Sequence, residues 1–310
     1  MLDSTAYFAY NKRMRRLYLK VFSVFLAFTF ICSFSAASRS FAAGSEEASI
    51  GELFAGEELQ YDIGFWIFNG IAEGRLVLKD EGNGRYVATL SAKSNGVLDT
   101  LLKHRRDRYV ATLRLSKDGK RFLTESFEKE LTMDGKGTRR SLHKVDYKAR
   151  TVSMRSWGGD KPEKTSVDRI PDGVYTDDPL AAFYNFRNGV YGNIAEGKDY
   201  RIMTFPKDDK IPEIFIRMAT KDELRKRNWK KVPADLLADA RIDKELFGSS
   251  SGDIEILFTR EMVPVQAIAK DLVMFGDVKG KLREAVSPKG ANNALNPPSM
   301  SSSLTTSANP

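Results

Sequence analysis

The sequence predicts a mainly β protein: a single antiparallel sheet, curved as a half-barrel like that of lipid carriers or closed as a barrel, with two or three short helices. Three observations carry this prediction. Apolar and polar residues alternate with a period of two over several segments. Turn signals recur roughly every eight to twelve residues. About 235 residues lie between Ile50 and Ala285, a length that a single all-β domain commonly reaches.

The first three strands follow one another through two tight turns. In residues 59–68, apolar side chains occupy alternate positions, as a pleated strand requires. Asn69-Gly70 is a typical tight-turn sequence, and the alternation resumes in residues 72–78. After a second turn at residues 82–84, it continues in residues 86–92. Three consecutive strands joined in this way form an antiparallel meander.

A short helix is expected next, because residues 96–103 break the alternation and place four apolar side chains on one helical face. These side chains belong to Val97, Leu98, Leu101 and Leu102. Strand patterns then return, separated by glycine-containing turns. The four further strands are predicted at residues 108–115, 121–132, 139–147 and 151–157.

Residues 177–190 give the clearest helix prediction. Asp177 or Asp178 can cap the helix, and Pro179 suits its first turn. Three apolar residues and one arginine then align along one side. They are Leu180, Phe183, Tyr184 and Arg187.

The remaining elements are predicted to be strands. Residues 200–205, 211–219 and 252–258 alternate, and residues 263–269 with 273–282 read as a closing hairpin. The alternation in residues 234–242 favours a strand, although their helix propensity also fits a short helix.

The amino-terminal segment is typical of an export signal. Arg15, Arg16 and Lys20 precede an uncharged run of 14 residues, 21–34, and small residues lie before Gly44. This run is shorter than the roughly 20 residues that cross a membrane core. We therefore predict a signal peptide at residues 1–43, with translation starting at Met1 or Met14, and a mature protein in the periplasm of a Gram-negative cell.

The net charge of +8 is concentrated in the predicted signal peptide. Residues 1–42 contain six Lys or Arg against one acidic residue, which leaves 43 basic and 40 acidic residues, or +3, for the rest. A general affinity for polyanions is thereby excluded, and we expect no nucleic-acid partner. Cys32 is the single cysteine, so the mature chain has no thiol for disulfides, catalysis or metal binding.

Two regions complete the domain prediction. Residues 44–286 form the exported β-rich domain. Residues 287–310 are rich in Ser, Asn, Pro and Thr and offer little apolar surface to bury, so they are predicted to be a disordered tail.

Several segments resemble a known bacterial family, called domain of unknown function 3108. They are Gly56-Glu57-Glu58-Leu59-Gln60-Tyr61 with Gly70-Ile71-Ala72-Glu73-Gly74, then Asp178-Pro179-Leu180-Ala181-Ala182-Phe183-Tyr184 with Arg187, and Val263-Pro264-Val265 with Phe275-Gly276-Asp277-Val278-Lys279-Gly280-Lys281-Leu282. The resemblance implies an exported, mainly β envelope protein and brings no established activity or catalytic residues. Where relatives often carry a tryptophan in the strand before the proline, this chain has Leu257 and Phe258.

Two basic clusters are candidates for binding an anionic group: residues 103–108, and residues 221–231, which contain Trp229. An apolar concave face of the sheet near Trp66 would bind the apolar part of the same ligand. The candidate ligand-binding residues are Trp66, Arg105, Arg106, Arg108, Arg225, Arg227, Trp229, Lys230 and Lys231. The predicted function is to bind an amphipathic envelope component, such as a lipid or lipid-linked glycan, with peripheral membrane contact and without a cofactor.

Two alternatives remain. The chain could be a non-catalytic assembly protein that docks an envelope partner. It could also be a glycan or lipid hydrolase with a carboxylate pair among residues such as Glu125, Glu128, Glu130, Asp177 and Asp178. A sequence match to the nucleophile elbow of some hydrolases occurs at Gly248-Ser249-Ser250-Ser251-Gly252, but its surroundings do not fit that motif. The strand-like residues after it and the absence of a downstream histidine indicate a polar loop. His104 and His143 lack partners at metal-ligand spacing. We therefore predict no catalytic or metal-binding residues.

Overall fold

The computed structural model describes residues 48–65, 68–96, 99–100, 103–207, 210–227, 232–241, 252–273 and 276–286. The predicted signal peptide at residues 1–43 and the predicted tail at residues 287–310 lie outside this part of the chain, so both stay predictions. No helix within the described residues is long and apolar enough to cross a membrane.

The described residues form one fourteen-stranded antiparallel sheet and three helices, which confirms the predicted fold class. The helices are α1 (Ile50–Phe54), α2 (Pro179–Arg187) and α3 (Lys221–Lys226). The strands are β1 (Glu58–Phe65), β2 (Phe68–Gly82), β3 (Arg85–Ser94), β4 (Arg106–Leu115), β5 (Phe122–Met133), β6 (Gly137–Asp146), β7 (Thr151–Gly158), β8 (Lys164–Arg169), β9 (Asp199–Met203), β10 (Glu213–Met218), β11 (Leu236–Arg241), β12 (Asp253–Phe258), β13 (Pro264–Val273) and β14 (Gly276–Val286).

The sheet is open rather than closed. Its order is β8-β7-β6-β5-β4-β3-β2-β1-β14-β13-β12-β11-β10-β9. The first and last strands therefore pair in the middle of the sheet, where Glu58 lies opposite Val286. The two edge strands, β8 and β9, are consecutive along the chain, and the segment between them contains α2. This topology leaves a gap between the edges.

Helix α2 packs against the inner face of β3, β4 and β5. Asp178 caps it by accepting hydrogen bonds from the backbone N–H groups of Leu180, at 2.7 Å, and Ala181, at 3.2 Å, and Pro179 occupies the first turn. Every helical residue after Pro179 is buried, and the helix contacts β3, β4 and β5. The predicted cap is confirmed, but the helix is buried all round instead of along one side.

The core lies between α2 and the inward side chains of the strands. Phe122 of β5 is fully buried, with ring centroids 5.0 Å from Tyr86 and 6.1 Å from Tyr184. Burial of such aromatic side chains contributes about 1.5 to 3 kcal/mol each relative to exposure. The inner face of β3, β4 and the start of β5 is therefore packed with protein, not left open for a ligand.

Three elements were not predicted: α1, β8 and α3, which begins with a capping box at Thr220. Helix α1 begins with a capping box, in which Ser49 accepts from the Glu52 N–H and Glu52 accepts from the Ser49 N–H. Strand β8 is short, polar and at an edge, so its pattern is weak. The favoured strand at residues 234–242 is confirmed as β11. Of the helix predicted at residues 96–103, Asp99 and Thr100 are helical, while residues 97–98 and 101–102 lie outside the described part.

Candidate functional site

A cavity of about 270 Å³ lies beside the gap in the sheet. One wall is the inner face of β5 to β8, and the other is the chain that follows β9 together with the start of β10. Its apolar lining comes from residues on both sides of the gap. These residues are Phe127, Val152, Met154, Pro179, Phe205, Pro206, Pro212 and Ile214.

Three rings form the aromatic wall of the cavity. His143 stacks on Phe205, with ring centroids 4.9 Å apart and planes inclined by 21°. Phe127 lies opposite His143 in the pairing of β5 with β6, and its centroid is 6.3 Å from that of Phe205. Phe205 follows β9, so this contact holds the far edge of the sheet against β5 and β6.

His143 brings an unused polar atom to this wall. Burial, and then the positive charge of Lys129, lower the pKa of His143 to about 4, so its imidazole is neutral at pH 7. The Nδ1 atom is buried and has no hydrogen-bond partner within the described residues. A buried polar atom of this kind costs about 1 to 3 kcal/mol when unsatisfied, and a bound ligand would satisfy it.

Lys129 brings a positive charge to the same cavity. It lies opposite Ser141 in the pairing of β5 with β6, and both residues line the cavity. Its ammonium nitrogen is 5.5 Å from the ring centroid of Tyr109, and burial lowers its pKa. Within the described residues this ammonium makes no hydrogen bond and no ion pair. The cavity therefore combines an apolar wall with a cation that lacks a counterion in contact.

The acidic residues at or near the cavity have partners of their own. Asp168 and Asp177 line the cavity, where Asp168 accepts from the Ser166 hydroxyl at 3.0 Å and Asp177 from Arg121 Nη2 at 2.5 Å. Asp107 of β4 interacts electrostatically with Lys129, but its carboxylate accepts hydrogen bonds from Arg105 Nε, at 3.1 Å, and the Tyr109 hydroxyl, at 3.2 Å. Burial raises the pKa of Asp107 to about 6. Asp107 thus neutralises the charge of Arg105 more directly than it neutralises the charge of Lys129.

The ionisation of His143 gives a testable pH dependence. Because its pKa is lowered in the folded protein from the ordinary 6.5 to about 4, the unfolded chain binds a proton in this interval that the folded protein does not. The stability that His143 contributes is present above pH 6.5 and falls as the pH drops towards 4. Relative to His143→Phe, the unfolding free energy of the wild type should fall by up to about 1.4 kcal/mol per pH unit. Urea unfolding at several pH values measures this difference, and parallel profiles for the two proteins would contradict it.

The first predicted basic cluster is divided between the two faces of the sheet. Arg105 is buried and paired with Asp107, whereas Arg106 and Arg108 are exposed on the outer face. Side chains alternate along β4, so residues 105 and 106 cannot point the same way. The expectation that these three arginines act together on one ligand is therefore corrected.

The second predicted cluster is largely neutralised where the structure describes it. Arg225 pairs with Asp222, and Arg227 donates to Asp239 at 2.8 Å and to Glu255 at 2.5 Å. Four other candidate ligand-binding residues lie outside the described residues and stay predictions. They are Trp66, Trp229, Lys230 and Lys231.

The acids and histidines considered for catalysis have structural contacts. Asp178 caps α2, and Asp177 accepts from Arg121 Nη2 at 2.5 Å. His104 Nδ1 lies 2.6 Å from Asp99, whose other oxygen accepts a hydrogen bond from the Ser94 hydroxyl. Residues 248–251 lie outside the described part, and within that part no three metal-binding side chains cluster.

Comparison with known proteins identifies no family. No family model matches the chain, and no curated protein matches it. Among solved structures, a β-barrel-like protein of the domain of unknown function 1849 from Brucella abortus aligns with a TM-score of 0.40 and 13% identity, over 76% of this chain and 98% of that chain. A DUF1329 family protein from Desulfovibrio piger aligns with a TM-score of 0.16 and 8% identity, over 78% and 90%. Membership of the 3108 family stays a prediction.

Proposed function

We propose that the chain is a binding protein of the Gram-negative cell envelope that holds a small amphipathic anion in the cavity beside the gap. The observation that carries the proposal is the ammonium group of Lys129 on the wall of a mainly apolar cavity, with no counterion in contact among the residues that the structure describes. An anionic head group would pair with Lys129, and the His143 Nδ1 would hydrogen-bond to the same group. The apolar part would pack between Phe127 and Phe205.

The energetics favour an anion over a neutral ligand. Burying an ammonium without a partner is costly, and a charge-assisted hydrogen bond to a carboxylate or phosphate contributes more than a neutral one. The same pairing would raise the pKa of Lys129 back towards its ordinary value, because the anion stabilises the charged form. Ligand binding would therefore relieve the unfavourable burial of this charge.

The volume limits the size of the ligand. Ligand pockets commonly measure about 300 to 1,000 Å³, and this cavity of about 270 Å³ lies just below that range. Helix α2 packs against β3, β4 and β5 beside it. One short acyl chain would fit, so for a whole lipid or a lipid-linked glycan the remainder of the molecule would extend beyond the cavity.

Decanoate provides a direct test with the protein expressed from the full chain and purified from the envelope. We expect the wild type to bind decanoate, and Lys129→Met to bind it at least tenfold more weakly, because methionine keeps the apolar stem and removes the charge. Isothermal titration calorimetry at pH 7 measures both affinities.

Lys144→Met is the matched control, since Lys144 is an exposed lysine on the neighbouring strand β6. We expect this variant to bind decanoate as the wild type does. Absence of binding to the wild type, or equal losses in the two lysine variants, would overturn the proposal.

A further inference from the structure

A second concave region lies on the opposite face of the sheet from the cavity. This outer groove has a volume of about 490 Å³ and is formed by β1 to β5 with one side chain from β14. Five cationic and three acidic residues line it. The cations are Arg75, Lys93, Arg106, Arg108 and Arg283.

Arg106 and Arg108 are the cations of the groove that contact no carboxylate within the described residues, although Arg106 interacts electrostatically with Asp99. Both are exposed, and they lie two residues apart on β4, so their side chains leave the same face of the sheet. Arg108 lies opposite Glu130 of β5, yet that carboxylate accepts from Arg140 at 2.8 Å instead. Neither Arg106 nor Arg108 donates a hydrogen bond or forms an ion pair within the described residues.

The carboxylates of the acidic residues in the groove form ion pairs with cations other than Arg106 and Arg108. Glu73 is shared by Lys93, at 3.1 Å, and Arg283, at 3.7 Å. Asp107 is turned inward and paired with Arg105. The groove therefore keeps a surplus of positive charge, although the chain outside the predicted signal peptide is close to electroneutral.

We propose that the outer groove binds the phosphate groups of a ligand that carries at least two negative charges, with Arg106 and Arg108 as its main contacts. A guanidinium group offers two parallel N–H donors that match phosphate oxygens, and residues two apart on a strand are separated by roughly 6.6 to 6.8 Å. Two such guanidinium groups can each bind one of two neighbouring phosphates, or both can bind the same phosphate. A single carboxylate would leave most of the positive surplus uncompensated.

This site is independent of the cavity, because it is on the other face of the sheet and uses none of the residues that line the cavity. Its chemistry fits either a soluble phosphorylated molecule or the head groups of an anionic membrane. The two sources can be distinguished with pyrophosphate and with vesicles of phosphatidylcholine containing phosphatidylglycerol.

The test uses the full chain and the double variant Arg106→Gln with Arg108→Gln. At low ionic strength, where exposed charges are little screened, we expect the wild type to bind pyrophosphate or the anionic vesicles, and the double variant to bind at least tenfold more weakly. Calorimetry measures the first ligand and vesicle sedimentation the second. Binding to pyrophosphate alone assigns a soluble ligand, and binding to vesicles alone assigns a lipid head group.

The double variant Arg169→Gln with Arg260→Gln is the matched control. The side chains of both arginines are 77% exposed, and neither residue lines the groove. Replacing them removes the same net charge as replacing Arg106 and Arg108. We expect this control to change either affinity less than twofold. Equal losses in the two double variants, binding of neither probe by the wild type, or tighter binding of citrate than of pyrophosphate would overturn the proposal.

Discussion

Replacing Arg187 with methionine should lower the free energy of unfolding by about 3 to 5 kcal/mol, because it leaves a buried carboxylate without its counterion. The guanidinium group of Arg187 donates through both terminal nitrogens to the two carboxylate oxygens of Glu57. The side chains of Arg187 and Glu57 are only 3% and 5% exposed. Removing one member of such a pair exposes the full desolvation cost of the other.

The pair joins parts of the fold that are distant in sequence. Arg187 ends α2, and Glu57 precedes β1, so the contact fastens the inner helix to the central strands. The guanidinium group also lies 4.3 Å from the ring centroid of Phe54 and 5.1 Å from that of Phe183. The loss in Arg187→Met therefore combines the uncompensated charge with weaker cation–π contacts.

Urea unfolding of the purified protein, followed by tryptophan fluorescence, measures the change in the free energy of unfolding. Thermal unfolding measures the accompanying change in melting temperature. In a domain of this size, about 1 kcal/mol shifts the melting temperature by roughly 2 to 4 °C, so a shift of at least about 6 °C is expected. The double variant Glu57→Met with Arg187→Met should recover most of the loss, because both charges are removed together.

Arg201→Met is the matched control for this prediction. Arg201 pairs with Glu213 on the surface, with 69% of its side chain exposed, and such pairs contribute about 0 to 1 kcal/mol. If Arg187→Met and Arg201→Met unfolded at the same urea concentration, the assigned role of the buried pair would be wrong.

The parts of the fold that sequence analysis predicts correctly are those with local causes. Alternation within one strand reflects only which face meets the core, and the cap of α2 involves Asp178 and the next three residues. The position of α2 inside the curved sheet has no local cause. It depends on contacts such as that of Arg187 with Glu57, 130 positions away, which the sequence pattern does not contain.

The cavity could not be predicted from the sequence, because the inward-facing positions of β5 change part-way along the strand. Phe122 and Thr124 are buried on the inner face, so strict alternation would place residues 126 and 128 inward. The pairing with β4 shifts between Thr112 and Leu113, so that Glu125 is an extra residue on β5. This bulge reverses the alternation and turns Phe127 and Lys129 inward. A bulge of this kind has no clear sequence signal here, and Lys129 reads as an outward lysine without it.

The outer groove was anticipated only in part. The sequence identifies the run of cations at residues 103–108 but treats it as one cluster. The period of two already separates Arg105 from Arg106 and Arg108 once β4 is known to include residue 106. The contributions of Arg75 and Arg283 come from strands that meet only in the folded sheet. Sequence reasoning can thus find a charged strand, but not the neighbours that give it a concave shape.

Asn185→Leu should destabilise the protein by about 2 to 5 kcal/mol, because the side chain of Asn185 replaces a missing strand partner. Asn185 is fully buried in α2. It accepts from the Phe122 backbone N–H at 2.8 Å and donates to the Phe122 carbonyl at 2.8 Å. Strand β6 pairs with β5 only from Ser126 onward, so none of the strands in the described part of the chain reaches these two groups on that side. Leucine has a similar size but leaves both buried groups unsatisfied.

The control for this prediction is Asn188→Leu, at the end of the same helix. Asn188 donates to the Lys120 carbonyl at 2.7 Å in a more exposed position, where water can replace it, so a loss below about 1 kcal/mol is expected. Urea unfolding compares the two leucine variants, and hydrogen exchange reports on the Phe122 amide directly. Loss of protection at Phe122 in Asn185→Leu alone would show that α2 completes the edge of β5 through one amide side chain. Unchanged protection with an unchanged urea midpoint would mean that the packing of α2, rather than this pair of hydrogen bonds, holds the helix inside the sheet.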